Sequence, residues 1–261
     1  MLKVGFCNLK GGVGKTTTCQ NLAVALREKG KKTAIIDMDP QSNLTVGFGI
    51  NLDEKQPYLL DFLNGDCEWD EVVITREGID IIPSTLDLVM LELTTHGIIE
   101  KETLLKDALN KINNDRYDYI FCDSPPQLGI FTRNVLVASD KLFTPLEGSF
   151  FALAGLKLLN HVVSLFKERL NPGLEIGGIA MSRHNPAIHM HREVVEEVSR
   201  FFGNTFFNSY IRQNVSLIEA CSVGVSVFKY APKSNAVDDY RAIADEFITK
   251  MEMYSLRKDG N

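Results

Sequence analysis

The chain has 261 residues, of which 44% are hydrophobic and 24% charged, with a formal net charge of −6. This length and apolar content bury a substantial core and favour one α/β domain spanning 1–261 over two independent ones. The mild acidity excludes a uniformly basic nucleic-acid binder, although a local basic face stays open. No apolar run is long enough for a bilayer and no charged-then-apolar leader opens the chain, so a cytoplasmic protein without membrane attachment is expected.

An apolar strand, Leu2 to Cys7, opens the chain and leads into Leu9 to Thr18, LKGGVGKTTT. Gly11, Gly12 and Gly14 allow a tight turn with inward-pointing N–H groups, and a helix beginning near Lys15 adds its positive dipole end. Such a nest suits a polyphosphate. Lys15 supplies an ammonium for the β- and γ-phosphates, and Thr16 a hydroxyl for a bridging magnesium ion. The helix carries Cys19, Leu22, Ala23 and Leu26 at helical spacing and stops near Gly30. A second strand, Thr33 to Ile36, ends in Asp37, which predicts a βαβ opening with parallel strands.

Asp37 and Asp39 sit at i and i+2 in DMDPQ, a spacing that directs both carboxylates to one side of an extended chain. One can hold the water shell of magnesium while the other orients an attacking water, the positioning that phosphoryl transfer demands. Pro40 to Gln56 reads as a mobile loop. Further strands are predicted at Ile79 to Ile82, Tyr119 to Cys122, Lys141 to Leu146, Glu175 to Met181 and Val225 to Phe228. Helical patterns lie near Glu100 to Asn113, Phe150 to Leu170, Arg192 to Phe202 and Ala236 to Tyr254. The alternation predicts a doubly wound, mostly parallel sheet with helices on both faces. Asp123 then ends the Tyr119 strand at the same carboxyl edge as Asp37 and the glycine loop, where such sheets bind ligands.

Five cysteines without C-x-x-C spacing read as reduced structural thiols. His189 and His191 have no third acid or thiol at ligand spacing and read as surface residues. In the last helix Ile243, Phe247 and Met251 recur at i+4 with acidic residues opposite, which fits core packing and not a membrane anchor.

The form K-G-G-x-G-K-[ST], with Lys10 where the commoner phosphate loop has none, resembles the deviant loop of the ParA/Soj, MinD and nitrogenase iron protein group of P-loop NTPases. D-x-D-P-Q at 37–41 resembles the ParA branch, as do apolar-D-x-P-P ending at Pro126, Phe150-Phe151-Ala152-Leu153, NVSLIEA at 214–220 and the closing segment from Tyr230. The resemblance implies ATP and Mg2+ as ligands, with Lys10, Gly11, Gly12, Val13, Gly14, Lys15, Thr16 and Thr17 on the nucleotide and Met181 and Arg212 near adenine. Thr16, Asp37 and Asp123 would serve the metal, directly or through water. Lys15, Asp39 and Lys10 would be catalytic, Asp39 orienting water and Lys10 reaching the partner's nucleotide in a homodimer.

By the same resemblance the dimer binds DNA non-specifically, moves a plasmid, chromosome or other cargo, and hydrolyses ATP slowly under a ParB-like adaptor. Relatives commonly carry proline at 212 and a DNA-binding arginine at 216, where this chain has Arg212 and Ser216. Arg183, Arg192, Lys229 and Lys233 are therefore the candidate DNA contacts. The extra DNA-reading domain of longer plasmid versions is not expected. A MinD-like switch on a non-DNA surface is the alternative reading, and an enzyme passing phosphate to a small acceptor a more distant one.

Overall fold

The computed structural model describes residues 1–52, 56–93 and 99–258. β1 (Leu2–Phe6) is followed by α1 (Lys15–Glu28), β2 (Thr33–Asp37), the short helices α2 (Asn43–Gly47), α3 (Leu59–Asn64) and α4 (Trp69–Val72), and the hairpin of β3 (Ile74–Arg76) and β4 (Ile79–Ile82). Then come α5 (Val89–Leu93), α6 (Leu104–Leu109), β5 (Tyr119–Asp123), α7 (Ile130–Ala138), β6 (Lys141–Glu147), α8 (Ala152–Arg169), β7 (Glu175–Ser182) and α9 (His189–Phe202). The last helices are α10 (Val215–Ser222), α11 (Val227–Tyr230) and α12 (Asn235–Lys258).

All seven strands join one sheet in the order β3-β4-β2-β5-β1-β6-β7, parallel except for β3. β2 and β5 are buried along their whole length because helices cover both faces, which is why they read as apolar runs. One core layer packs α1 and α12 on the sheet through Phe6, Leu22, Phe121 and Phe247, and the other packs α3, α6 and α7 through Ile36, Leu105, Ile120 and Val135. Ile243, Phe247 and Met251 are all buried, as the i+4 stripe predicts. Among the described residues no helix is long and apolar enough to cross a membrane.

Three predicted elements differ. The Val225 to Phe228 strand is instead the helix α11, because Ser226 Oγ caps it by accepting from Lys229 N and Gly224, at φ 72°, turns the chain just before. The β-branched and aromatic residues there fill a gap between helices and not a sheet edge. The helix predicted near Glu100 to Asn113 is confined to Leu104–Leu109. The Pro40 to Gln56 segment holds α2, tied down by Thr45 on Asp37, by Gln20 Nε2 donating to the Gly47 carbonyl at 2.5 Å, and by a close approach of Gly49 to Gly224. A Cβ on Gly224 would lie 2.7 Å from Gly49 Cα, so only glycine fits. Residues 53–55 of that segment lie outside the described residues.

Candidate functional site

The loop between β1 and α1 lies at the carboxyl edge with β5 on one side of its strand and β6 on the other. Its turn is made by Gly12 at φ 76° and Gly14 at φ 85°, left-handed conformations that a side chain would strain. Nothing stands within 4 Å of a Cβ at Gly12, so the space beside this turn is open. Gly14 caps α1, and no side chain takes up the first-turn N–H groups. The open nest and the helix end together form an anion cradle.

Two lysines leave this loop in different ways. Lys15 is buried, 7% exposed, and its Nζ folds back to 3.5 Å from the Lys10 carbonyl. Burial pushes its pKa down, opposed by the nearby Asp123 charge. The Lys10 side chain is half exposed; its Nζ lies 3.1 Å from Glu147 Oε2 and 3.3 Å from Ser149 Oγ on the neighbouring β6 edge. Its backbone N–H donates to Asn8 Oδ1, while Asn8 Nδ2 donates to the Pro145 carbonyl at 2.8 Å. The two ammonium groups thus face different spaces, one over its own loop and one at the β6 rim beside Glu147 and Ser149.

Asp37 and Asp123 are paired residues on adjacent strands, so their carboxylates stand side by side at the edge. Asp123 Oδ2 accepts from Thr16 Oγ1 at 2.6 Å, and Asp123 Oδ1 is buried without a partner. Burial and the Asp37 charge push the Asp123 carboxyl well above its ordinary range. Asp37 accepts from Thr45 N at 2.9 Å and Thr45 Oγ1 at 2.7 Å, with Asp39 N at 3.1 Å. Burial still pushes its pKa up to about 6. A buried acid with an orphaned oxygen, next to a second acid and a threonine hydroxyl, is an oxygen-rich set short of positive charge. It fits magnesium. Asp39, 9% exposed, accepts from Gln41 N through one oxygen only.

A family model described as an AAA domain matches residues 1–176. The sporulation initiation inhibitor protein Soj of Bacillus subtilis is 36% identical over 245 residues, covering 93% of this chain and 96% of that protein. The chromosome partitioning protein ParA of Caulobacter vibrioides is 35% identical, covering 95% and 94%. Among solved structures, cobyrinic acid a,c-diamide synthase of Mycobacterium smegmatis with bound ADP and magnesium is similar at a TM-score of 0.80 and 27% identity, over 94% of this chain and 93% of that one. This chain belongs to the ParA/Soj family of partition ATPases.

In this ParA/Soj chain a cavity of about 620 Å³ continues from the phosphate loop, walled by Gly14 and Thr17, by Arg212 and Asn214, and by Ser182 and Tyr240. Val13 is buried, and its carbonyl accepts from Ser182 Oγ at 2.7 Å, which ties the loop to the end of β7. Met181, the predicted adenine contact, is not on this wall. Strand alternation turns it into the core with Leu146, Ile179 and Val194, and its neighbour Ser182 faces the loop. Arg212 does line the cavity, but its guanidinium is held by Asp239, with Nη2 2.6 Å from Oδ1 and Nε 3.0 Å from both oxygens.

The four candidate DNA cations lie on different elements. Arg183, at φ 49°, follows β7 with Nη1 3.8 Å from Glu147, and Arg192 on α9 donates to the Pro186 carbonyl. Lys229 is on α11, and Lys233 lines a shallow cavity with Asn214 and Ser216 where α10 and α12 begin. His189 pairs with Glu193, and among the described residues no three His, Cys, Asp or Glu side chains form a metal cluster. Sequence reading missed Asn8, Thr45, Ser182 and Glu147. Asn8 carried a signal, since a buried amide beside a glycine loop needs partners; the other three are defined only by what folds against them.

Proposed function

We propose that this chain is an ATP-driven positioning switch. Two copies close face to face around ATP and magnesium, the closed dimer holds DNA without sequence preference, and hydrolysis to ADP and phosphate releases it. The observation that carries the reading is the pair of lysines on one loop, Lys15 buried over it and Lys10 half exposed at its rim beside Glu147 and Ser149. One nucleotide needs only the first.

In the proposed reaction the N–H groups of residues 11–17 and Lys15 hold the phosphate oxygens, and Lys10 adds charge from the partner copy at the γ-phosphoryl group. Asp39 orients a water, whose oxygen attacks the γ-phosphorus as the bond to the β-phosphoryl oxygen breaks and ADP leaves. Thr16 would hold magnesium, with Asp123 and Asp37 acting through its waters; bound magnesium supplies neutralising charge between the phosphoryl groups. The adenosine half would occupy the 620 Å³ cavity beside Arg212. Turnover would be slow and raised by a ParB-like adaptor, in the cytoplasm on nucleoid DNA. Arg183, Arg192, Lys229 and Lys233 are the proposed phosphate contacts.

Sedimentation and DNA retention test this together. ATP with magnesium should convert the chain to a dimer retained on random duplex DNA, with retention falling steeply as salt rises. Lys10→Ala should bind ATP and stay monomeric. A nucleotide-bound dimer that ignores DNA at low salt would leave a switch acting on another surface. Transfer of phosphate to a small acceptor in place of water would overturn both.

A further inference from the structure

Phe150 and Phe151, in the turn between β6 and α8, are 80% and 73% exposed, with rings meeting edge to face at 5.0 Å. They belong to no core of their own protomer. The inward face of α8 is supplied by Ala152, Leu156 and Leu159, all buried. Adjacent bulky rings left in water are a feature of interfaces, because exposed aromatic anchors in small number supply most of the association energy.

Their position identifies what covers them. Ser149, the residue before the pair, touches Lys10 Nζ, so the rings begin one residue from the side chain that points away from its own loop. On the other flank of the loop Pro126 stands 4.0 Å from a Cβ at Gly11, and Leu128 beyond it is partly exposed. The sheet order β5-β1-β6 therefore sets an apolar margin on both sides of the phosphate loop. Lys10 and Arg183 both approach Glu147 in the isolated chain, and Lys10 exchanges that contact for the partner's nucleotide on closure, whereas the rings have no partner in the protomer to give up.

We propose that the Phe150–Phe151 pair is the apolar anchor by which a second copy of this chain closes over the phosphate edge, an inference that rests on the ATP-dependent dimer proposed above. A two-fold axis near Lys10 brings the same margin of each copy to the other, as an isologous interface requires. Each phenylalanine offers about 150–250 Å². Four rings give on the order of 600–1,000 Å², a large part of the roughly 1,600 Å² of a standard interface. Phosphate contacts then set when the dimer closes, and the rings how tightly.

The test is sedimentation of the Phe150→Ala/Phe151→Ala double variant with a non-hydrolysable ATP analogue and magnesium, beside titration of a fluorescent nucleotide into dilute protein. Dimer association should weaken at least about a hundredfold, since two anchors of hot-spot size are removed from each copy, while monomer nucleotide affinity and thermal midpoint stay as in the unsubstituted chain. Phe150→Leu/Phe151→Leu, which keeps apolar area, should recover part of the loss. Unchanged dimerisation of the double variant would overturn the anchor and leave the ATP-dependent dimer standing. An unsubstituted chain that binds nucleotide yet stays monomeric would overturn both. Monomer binding to phosphatidylglycerol vesicles that vanishes in the double variant would assign the rings to a lipid surface and overturn the proposal.

Discussion

The two walls of the candidate nucleotide site are built on different principles. At the phosphate edge, direction follows from the backbone. Strand register sets Asp37 beside Asp123, positive φ at Gly12 and Gly14 opens the loop, and the start of α1 places Thr16 against Asp123. On the C-terminal wall, direction follows from distant partners. Asp239 holds Arg212, Glu147 meets Arg183, and Met181 turns inward because its neighbour takes the cavity side. The same residue type therefore carries much more functional information at the edge than on the wall.

The largest expected break lies at the edge. Lys15→Ala removes the charge-assisted bonds to two phosphoryl groups, so nucleotide affinity should fall at least about a hundredfold. Calorimetric titration with ATP checks this, and ordinary affinity would show that the loop is not the cradle. Narrower in scope, because it spares binding, Asp39→Ala should bind ATP and dimerise but lose about a hundredfold in turnover, since only the orientation of water is removed. Phosphate release alongside sedimentation separates the two effects, and a monomeric variant unable to bind would make Asp39 a structural residue.

A smaller effect sharpens the comparison through pH. The folded Asp37 carboxyl titrates at about 6 against an ordinary 3.8, so between those values the folded chain keeps a proton that the unfolded chain has lost. Its contribution is therefore fully present below the ordinary value and fades as pH rises toward 6, a span of about 3 kcal/mol. In nucleotide-free protein, Asp37→Asn should flatten the fall in stability across that window, as read from urea unfolding at several pH values. An unaltered profile would place the effect on another group.

Beyond the nucleotide cavity, at α11 and the start of α12, the expectation is graded and not abolishing. Lys229→Ala/Lys233→Ala should leave nucleotide binding intact and weaken DNA retention, making the log–log salt dependence shallower by about 4, because each copy of the dimer loses two phosphate contacts. A slope equal to that of the unsubstituted chain would remove both lysines from the DNA contact.

The phosphate loop, the DMDPQ segment and the strand ending in Asp123 were legible because each joins a backbone requirement to a chemical one within a few residues. The parallel sheet was legible from strands buried on both faces. Val225 to Phe228 misled because β-branched and aromatic residues also fill helical junctions, and the cap at Ser226 outweighed their strand preference. Met181 misled because a strand residue's neighbour one position on faces the opposite side, so a one-residue offset exchanges cavity for core.

The sequence by itself determined the fold class, the anion cradle and the acids at its edge, since these depend on local conformation and strand order. Tertiary structure alone decided that Lys10 meets Glu147, that Asp239 fixes Arg212, and that two phenylalanines stay uncovered beside the loop. Each of those outcomes depends on which side chains, far apart along the chain, the sheet and its helices bring into contact. Spacing in the chain carries no record of such meetings.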